Sequence, residues 1–159
     1  MSRGHRAARR LLAAGALVLA VALAAAGCGG SVQKDNTYVD RVNLAQSQFA
    51  SSFTQLSREI TPSSTPAHDR KTLRAIQASI AKTVTNLRAI HPPDKVKSLH
   101  GELVDAIAAY GAAIGSAEQN LGGTVAEATR AQARLAADTG RASTQVTAAV
   151  SAINQKLRE

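Results

Sequence analysis

Cysteine and aromatic residues are scarce in this chain of 159 residues, and each shortage excludes a class of structure. There is one Cys, and there are no Trp, two Phe and two Tyr. A single cysteine cannot form an internal disulfide, so no disulfide framework holds the fold together. Large ligand pockets are mostly apolar and aromatic, so the shortage of aromatic side chains argues against one. Alanine is abundant and is the best helix former, and the composition therefore predicts an all-α fold.

The N-terminal segment has the composition of a secretory signal. Four arginines lie within the first ten residues, and an apolar stretch follows at residues 11–27. A basic region, a short apolar region and small residues at the cut site are the three parts of a signal peptide. The apolar stretch has 17 residues. A membrane-spanning helix usually needs about 20, so a retained anchor is the alternative.

Small residues precede the single cysteine in Ala25-Ala26-Gly27-Cys28. This segment resembles the lipobox of bacterial lipoproteins. The resemblance implies cleavage between Gly27 and Cys28, a diacylglycerol on the sulfur of Cys28, and an acyl group such as palmitate on the new N-terminus. We therefore expect an exported protein that is lipid-anchored to the extracytoplasmic face of the bacterial cell membrane. The alternative is a free or intermolecularly paired thiol.

Three regions follow from this interpretation: a signal peptide at residues 1–27, a lipidated flexible tether at 28–35 and a helical domain at 36–159. The tether is predicted from its Gly and Ser content. The formal net charge of +8 includes four signal arginines, so the remainder carries 15 basic and 11 acidic residues. This surplus is small and not clustered, so we expect no nucleic-acid partner.

Apolar residues recur at spacings of three and four in four segments of the domain, which predicts four amphipathic helices. Thr65 and Pro66 suit the N-cap and first position of the second helix, and Pro92-Pro93 ends it. Gly-x-x-x-Gly at Gly111 and Gly115 indicates close helix contact. The first predicted helix runs from about residue 36 to 60, and the second begins at residue 66 or 67 and ends at 90. The third begins at residue 93 or 94 and ends at 121, and the fourth spans 125–157.

Short turns between these helices predict a four-helix, up-down-up-down antiparallel bundle preceded by a signal helix and tether. The alternative is a three-helix core with a loosely attached first helix. The fourth helix is predicted to start with a capping box at Thr124 and Glu127 and to continue through Gly140. Gly122-Gly123 is expected to end the third helix.

No pattern in the sequence suits catalysis or a cofactor. His91 and His100 flank the second turn, but zinc sites need three or four ligands, so we expect an exposed His91 and a packed His100. Glu102 and Asp105 are expected on a solvated helix face. The chain has no nucleophile-elbow, dinucleotide-binding or P-loop motif. We therefore expect no enzyme activity, no metal site and no cofactor.

The second turn and the helix after it resemble a pattern in small helical lipoproteins of bacteria. The residues are Ile90, Pro92, Pro93, Leu99, His100, Leu103, Val104 and Tyr110. The resemblance implies an architecture and no site. We expect a non-enzymatic envelope protein that acts as an interaction or structural module, with an envelope protein or the cell wall as partner. The alternatives are a module that holds a small or lipid-like ligand between helices, and a hydrolase or metalloenzyme.

Overall fold

The computed structural model describes residues 30–61, 63–120 and 125–159, and within these ranges it contains four α-helices and no strand. A short 3₁₀ segment, Asp94–Val96, leads into the third helix. The predicted all-α bundle of four helices is therefore confirmed. The helices are α1 (Gly30–Ser57), α2 (Pro66–Arg88), α3 (Lys97–Gln119) and α4 (Val125–Arg158).

Contacts at one end of the bundle establish the up-down-up-down order. The Tyr38 hydroxyl near the start of α1 lies 3.2 Å from Nδ1 of His100 near the start of α3. Nε2 of the same histidine lies 3.0 Å from the carbonyl oxygen of Leu87, at the end of α2. Lys95, just before α3, reaches the carbonyl oxygen of Leu157 near the end of α4. The first helix therefore belongs to the bundle.

The core buries the apolar faces that the sequence predicts. Aliphatic side chains make up most of it, and Phe49 and two tyrosines are the buried aromatic residues among those described. Phe53 and Leu56 of α1 are only partly buried against it. The side chains with the least exposure include Val42, Ile76, Ile80, Leu87, Val96, Leu103, Val150 and Ile153.

Gly111 allows α3 to approach α2 closely. A Cβ atom on Gly111 would lie 2.9 Å from Cγ2 of Ile80, and one on Gly115 would lie 2.5 Å from Nε2 of Gln77. Both distances are shorter than ordinary contact. The buried Ile80 side chain has little room to move away from position 111, whereas the exposed end of Gln77 can swing away from position 115. The close helix contact predicted from the Gly-x-x-x-Gly pattern is confirmed.

The first helix begins at Gly30, six residues before the predicted start at residue 36. Residues 30–35, which the Gly and Ser content assigns to a flexible tether, are thus helical. The physical reason is tertiary, because Asp35 is buried and paired with Lys95, and Tyr38 is buried one turn later. Extending an already formed helix by a few residues costs little. At its other end α1 stops at Ser57 rather than residue 60.

The start of α2 agrees with the sequence prediction. The Thr65 side chain accepts a hydrogen bond from the His68 N–H at 3.2 Å, and Pro66 is the first helical residue. The fourth helix continues through Gly140, as expected. Gly122-Gly123 and Thr124 lie outside the described residues. No described helix has the apolar stretch that a membrane crossing requires.

Candidate functional site

The ends of all four helices meet at one end of the bundle, which we call the base (residues 30–41, 85–100 and 153–159). Lys95, just before α3, contacts both α1 and α4 at this end. Its Nζ lies 3.0 Å from Oδ2 of Asp35 and donates to the carbonyl oxygen of Leu157 at 3.3 Å. Asp35 is only 7% exposed. A buried carboxylate is costly without a partner, so this ion pair fixes α1 to the turn before α3.

His100 joins three helices at the base. Its ring packs edge-on against Tyr38, with centroids 5.6 Å apart. A carbonyl oxygen only accepts hydrogen bonds, so Nε2 of His100 carries the proton that is donated to Leu87. Nδ1 of the neutral ring must then accept from the Tyr38 hydroxyl. Both ring nitrogens are used within the protein, which leaves neither for a ligand.

Burial shifts the titration of these groups toward their neutral forms. It lowers the pKa of His100, against a smaller opposing effect of the hydrogen bond to Leu87. It raises the pKa of the Tyr38 hydroxyl far above its ordinary value. Burial has the same effect on Tyr110, elsewhere on α3, and raises the pKa of its hydroxyl to about 12. At neutral pH the pair is therefore an uncharged hydrogen-bonded contact. Tyr38 is 2% exposed and His100 is 6% exposed, so the pair is a packing element rather than an accessible acid or base.

An open cleft of about 710 Å³ lies beside this pair, between the start of α1 and the Pro92-Pro93 turn. Charged side chains, including Lys34, Arg41 and Asp94, form much of its wall.

No family model matches the sequence, and no curated protein or solved structure matches it. The side chains that line the cleft are therefore the basis for judging what it could bind. Its charged walls suit a polar or charged group better than an apolar ligand.

The opposite end of the bundle is fixed by a second set of charges. Glu118 of α3 is 8% exposed, and its Oε1 lies 3.0 Å from Nε of Arg74 and 3.5 Å from Nε of Arg70. Both arginines belong to α2, so the contact holds α2 against α3. The Glu118 carboxylate is engaged in ion pairs, which gives it a structural role.

Gly27 and Cys28, the predicted cleavage and lipidation residues, lie outside the described residues, as does the whole predicted signal peptide. His91 is exposed and His100 is buried, as the sequence predicts. The structure brings His100 to Tyr38 rather than to His91. In the described parts of the chain, no group of three or more His, Cys, Asp or Glu side chains is placed to hold a metal ion.

The predicted solvated face of α3 is confirmed, because Glu102 and Asp105 are both exposed. Sequence reasoning missed two contacts at the base, between Tyr38 and His100 and between Asp35 and Lys95. One signal was present for the first contact, since a tyrosine on an apolar helix face needs a hydrogen-bond partner for its hydroxyl. The partner lies 62 residues away in the sequence, so local spacing could not identify it.

Proposed function

We propose that this chain is a lipid-anchored, non-enzymatic protein of the bacterial cell envelope that acts as an interaction or structural module. The observation that carries the proposal is Cys28, which follows a basic region, an apolar stretch and the small residues Ala25-Ala26-Gly27. Two or three acyl chains on one cysteine would hold the protein at the membrane, because each buried CH₂ contributes about 0.8 kcal/mol.

The packing of the bundle supports an interaction or structural role. His100 and Lys95 are engaged in contacts between helices, and Glu118 likewise joins two helices. Side chains used in this way stabilise a fixed shape. A four-helix bundle presents long helix faces to another protein or to the cell wall.

A module that binds a lipid-like ligand between helices has weaker support. Such a module is expected to expose apolar side chains at one end of the bundle. Among the described residues the large apolar side chain that is exposed is Leu44, at 58%, and it lies in the middle of α1. The cleft at the base has charged walls.

The substitution Cys28→Ser tests the anchor. We expect the mature protein to carry a mass increase equal to a diacylglycerol plus an acyl chain, to incorporate labelled palmitate, and to remain in membranes after a high-salt wash. Cys28→Ser should lose the label and the mass increase and should be released or mislocalised, because the thiol is the only acceptor for the diacylglycerol.

A matched control moves the cysteine. The double variant Cys28→Ser/Ser31→Cys keeps one thiol in the chain but separates it from the small residues before position 28. It should also fail to incorporate palmitate. If Cys28→Ser still sediments fully with washed membranes, or if the purified wild-type chain has an unmodified cysteine, the lipid-anchor proposal is wrong.

A further inference from the structure

The base carries a surplus of positive charge that its own ion pairs do not neutralise. It contains seven basic and four acidic side chains. Asp35 is neutralised by Lys95, and Glu159 by Lys156. Five exposed basic side chains at the base form no ion pair within the described ranges: Lys34, Arg41, Arg88, Lys97 and Arg158.

The early start of α1 places this charge near the predicted anchor. Only Gly29 separates Cys28 from Gly30, the first residue that the structure describes, which is helical. Two residues span at most about 7 Å. Lys34 lies about 6 Å further along the helix axis. Lys34 is thus within about 13 Å of Cys28, whereas the same six residues fully extended would allow up to about 21 Å.

That distance decides whether the charges of the base act on the membrane. The Debye length is about 8 Å at physiological ionic strength, and a lysine side chain extends several ångströms from its helix. The ammonium group of Lys34 can therefore come within electrostatic range of the headgroups next to a lipid-anchored Cys28. A fully extended segment would allow the same ammonium group to lie beyond that range.

We propose that the base of the bundle docks on anionic phospholipid headgroups of the membrane that holds Cys28. Lys34, Arg88, Lys97 and Arg158 contact the lipid phosphates, and the cleft lined by Lys34 and Arg41 admits a headgroup phosphate. The attraction comes from opposite charge and weakens with salt. The inference rests on the proposed lipid anchor. It adds an orientation to that anchor, with the base toward the membrane and the Glu118 end away from it.

The chain has no tryptophan, so a single introduced tryptophan reports on its own position. Ser98 and Gln119 are both exposed and lie near opposite ends of α3, about 32 Å apart along the helix. We introduce Ser98→Trp or Gln119→Trp and purify each variant as the full chain. Each is then reconstituted into vesicles that carry a nitroxide quencher at the headgroup if it is lipidated, or mixed with them if it is not. The vesicles are phosphatidylcholine alone or phosphatidylcholine with added phosphatidylglycerol.

We expect phosphatidylglycerol to increase the quenching of Ser98→Trp by at least about twofold, since each basic side chain near an anionic surface adds attraction. The increase should disappear at about 1 M salt, where the Debye length is about 3 Å. Gln119→Trp should show little quenching in either vesicle.

Two variants with the same net charge distinguish the effect of the basic residues at the base from the effect of the protein's overall charge. Replacing Lys34, Arg88, Lys97 and Arg158 by Gln should reduce the quenching of Ser98→Trp to the phosphatidylcholine level. The control replaces four exposed basic residues away from the base by Gln and should leave the quenching unchanged. The control residues are Arg58, Lys71, Arg130 and Arg134.

The mass of the isolated protein tests the anchor separately from this inference. A lipidated protein whose quenching is the same in both vesicles, or is equally reduced by both charge variants, overturns the docking surface and leaves the anchor intact. A protein without lipid that still shows phosphatidylglycerol-dependent quenching at Ser98→Trp overturns the anchor and supports the docking surface.

Discussion

Tyr38→Phe removes one oxygen atom from the contact that joins α1, α2 and α3. The phenyl ring keeps the apolar packing of Tyr38, but Nδ1 of His100 loses the hydroxyl that lies 3.2 Å away. The ring cannot recover by changing tautomer, because Nε2–H is donated to Leu87. A buried acceptor without a partner costs about 1–3 kcal/mol.

Urea unfolding of the full chain, followed by circular dichroism at the helix band, measures this loss. With a urea dependence of about 2 kcal/mol per molar, the midpoint should fall by about 0.5–1.5 M. His100→Leu should destabilise by a similar or larger amount, because it leaves the Tyr38 hydroxyl buried without an acceptor. Leu87 keeps a second donor, the Ile90 N–H at 3.0 Å, so its carbonyl oxygen stays satisfied.

The double variant Tyr38→Phe/His100→Leu decides between a coupled contact and two independent packing effects. It replaces both hydrogen-bonding partners by apolar groups, which removes the unsatisfied atoms that each single variant creates. Its loss of unfolding free energy should be smaller than the sum of the single losses by about 1–2 kcal/mol. Additivity within about 0.3 kcal/mol would refute the assigned tautomer and the contact.

Three further predictions concern the stability of the bundle. Because burial lowers the pKa of His100 in the folded state, the unfolded state binds more protons below about pH 6.5, and the stability present above that pH should be lost as the pH falls. Urea midpoints measured from pH 7.5 to 5.5 should therefore decline in the wild type and decline less in His100→Leu, whereas the exposed-site variant His91→Gln should follow the wild type. Gly140→Ala should raise the unfolding free energy by about 1 kcal/mol, because a Cβ there meets no atom within 4 Å. Gly111→Ala should instead lower it by about 1–3 kcal/mol through the clash with Ile80, and a stabilising effect in the same urea assay would contradict the close helix contact.

Helix number, order and apolar faces could be predicted because they depend on local patterns. Thr65 and Pro66 mark the start of α2, and the Pro92-Pro93 turn marks its end, through backbone sterics alone. The spacing of Ile76 and Ile80 likewise identifies a buried face without knowledge of its partner.

The start of α1 could not be predicted, since Gly30 and the residues after it have the composition of a linker. Their helical state depends on Asp35 meeting Lys95, 60 residues later, and such a pair has no local signature. The clustering of basic residues at the base could not be predicted for the same reason. Lys34, Arg88 and Arg158 are dispersed in the sequence, and only the bundle brings them to one end.

The contacts at the base also determine how the fold carries mechanical load. A force applied at the N-terminus of α1 reaches Asp35 and Tyr38 within the first three turns, where these side chains bond to Lys95 and His100. His100 is in turn hydrogen-bonded to the carbonyl oxygen of Leu87 in α2, and Lys95 to that of Leu157 in α4, so the force is transmitted to both helices. Tension at that terminus is thus shared by all four helices before it reaches the middle of the bundle, so α1 resists being peeled away alone.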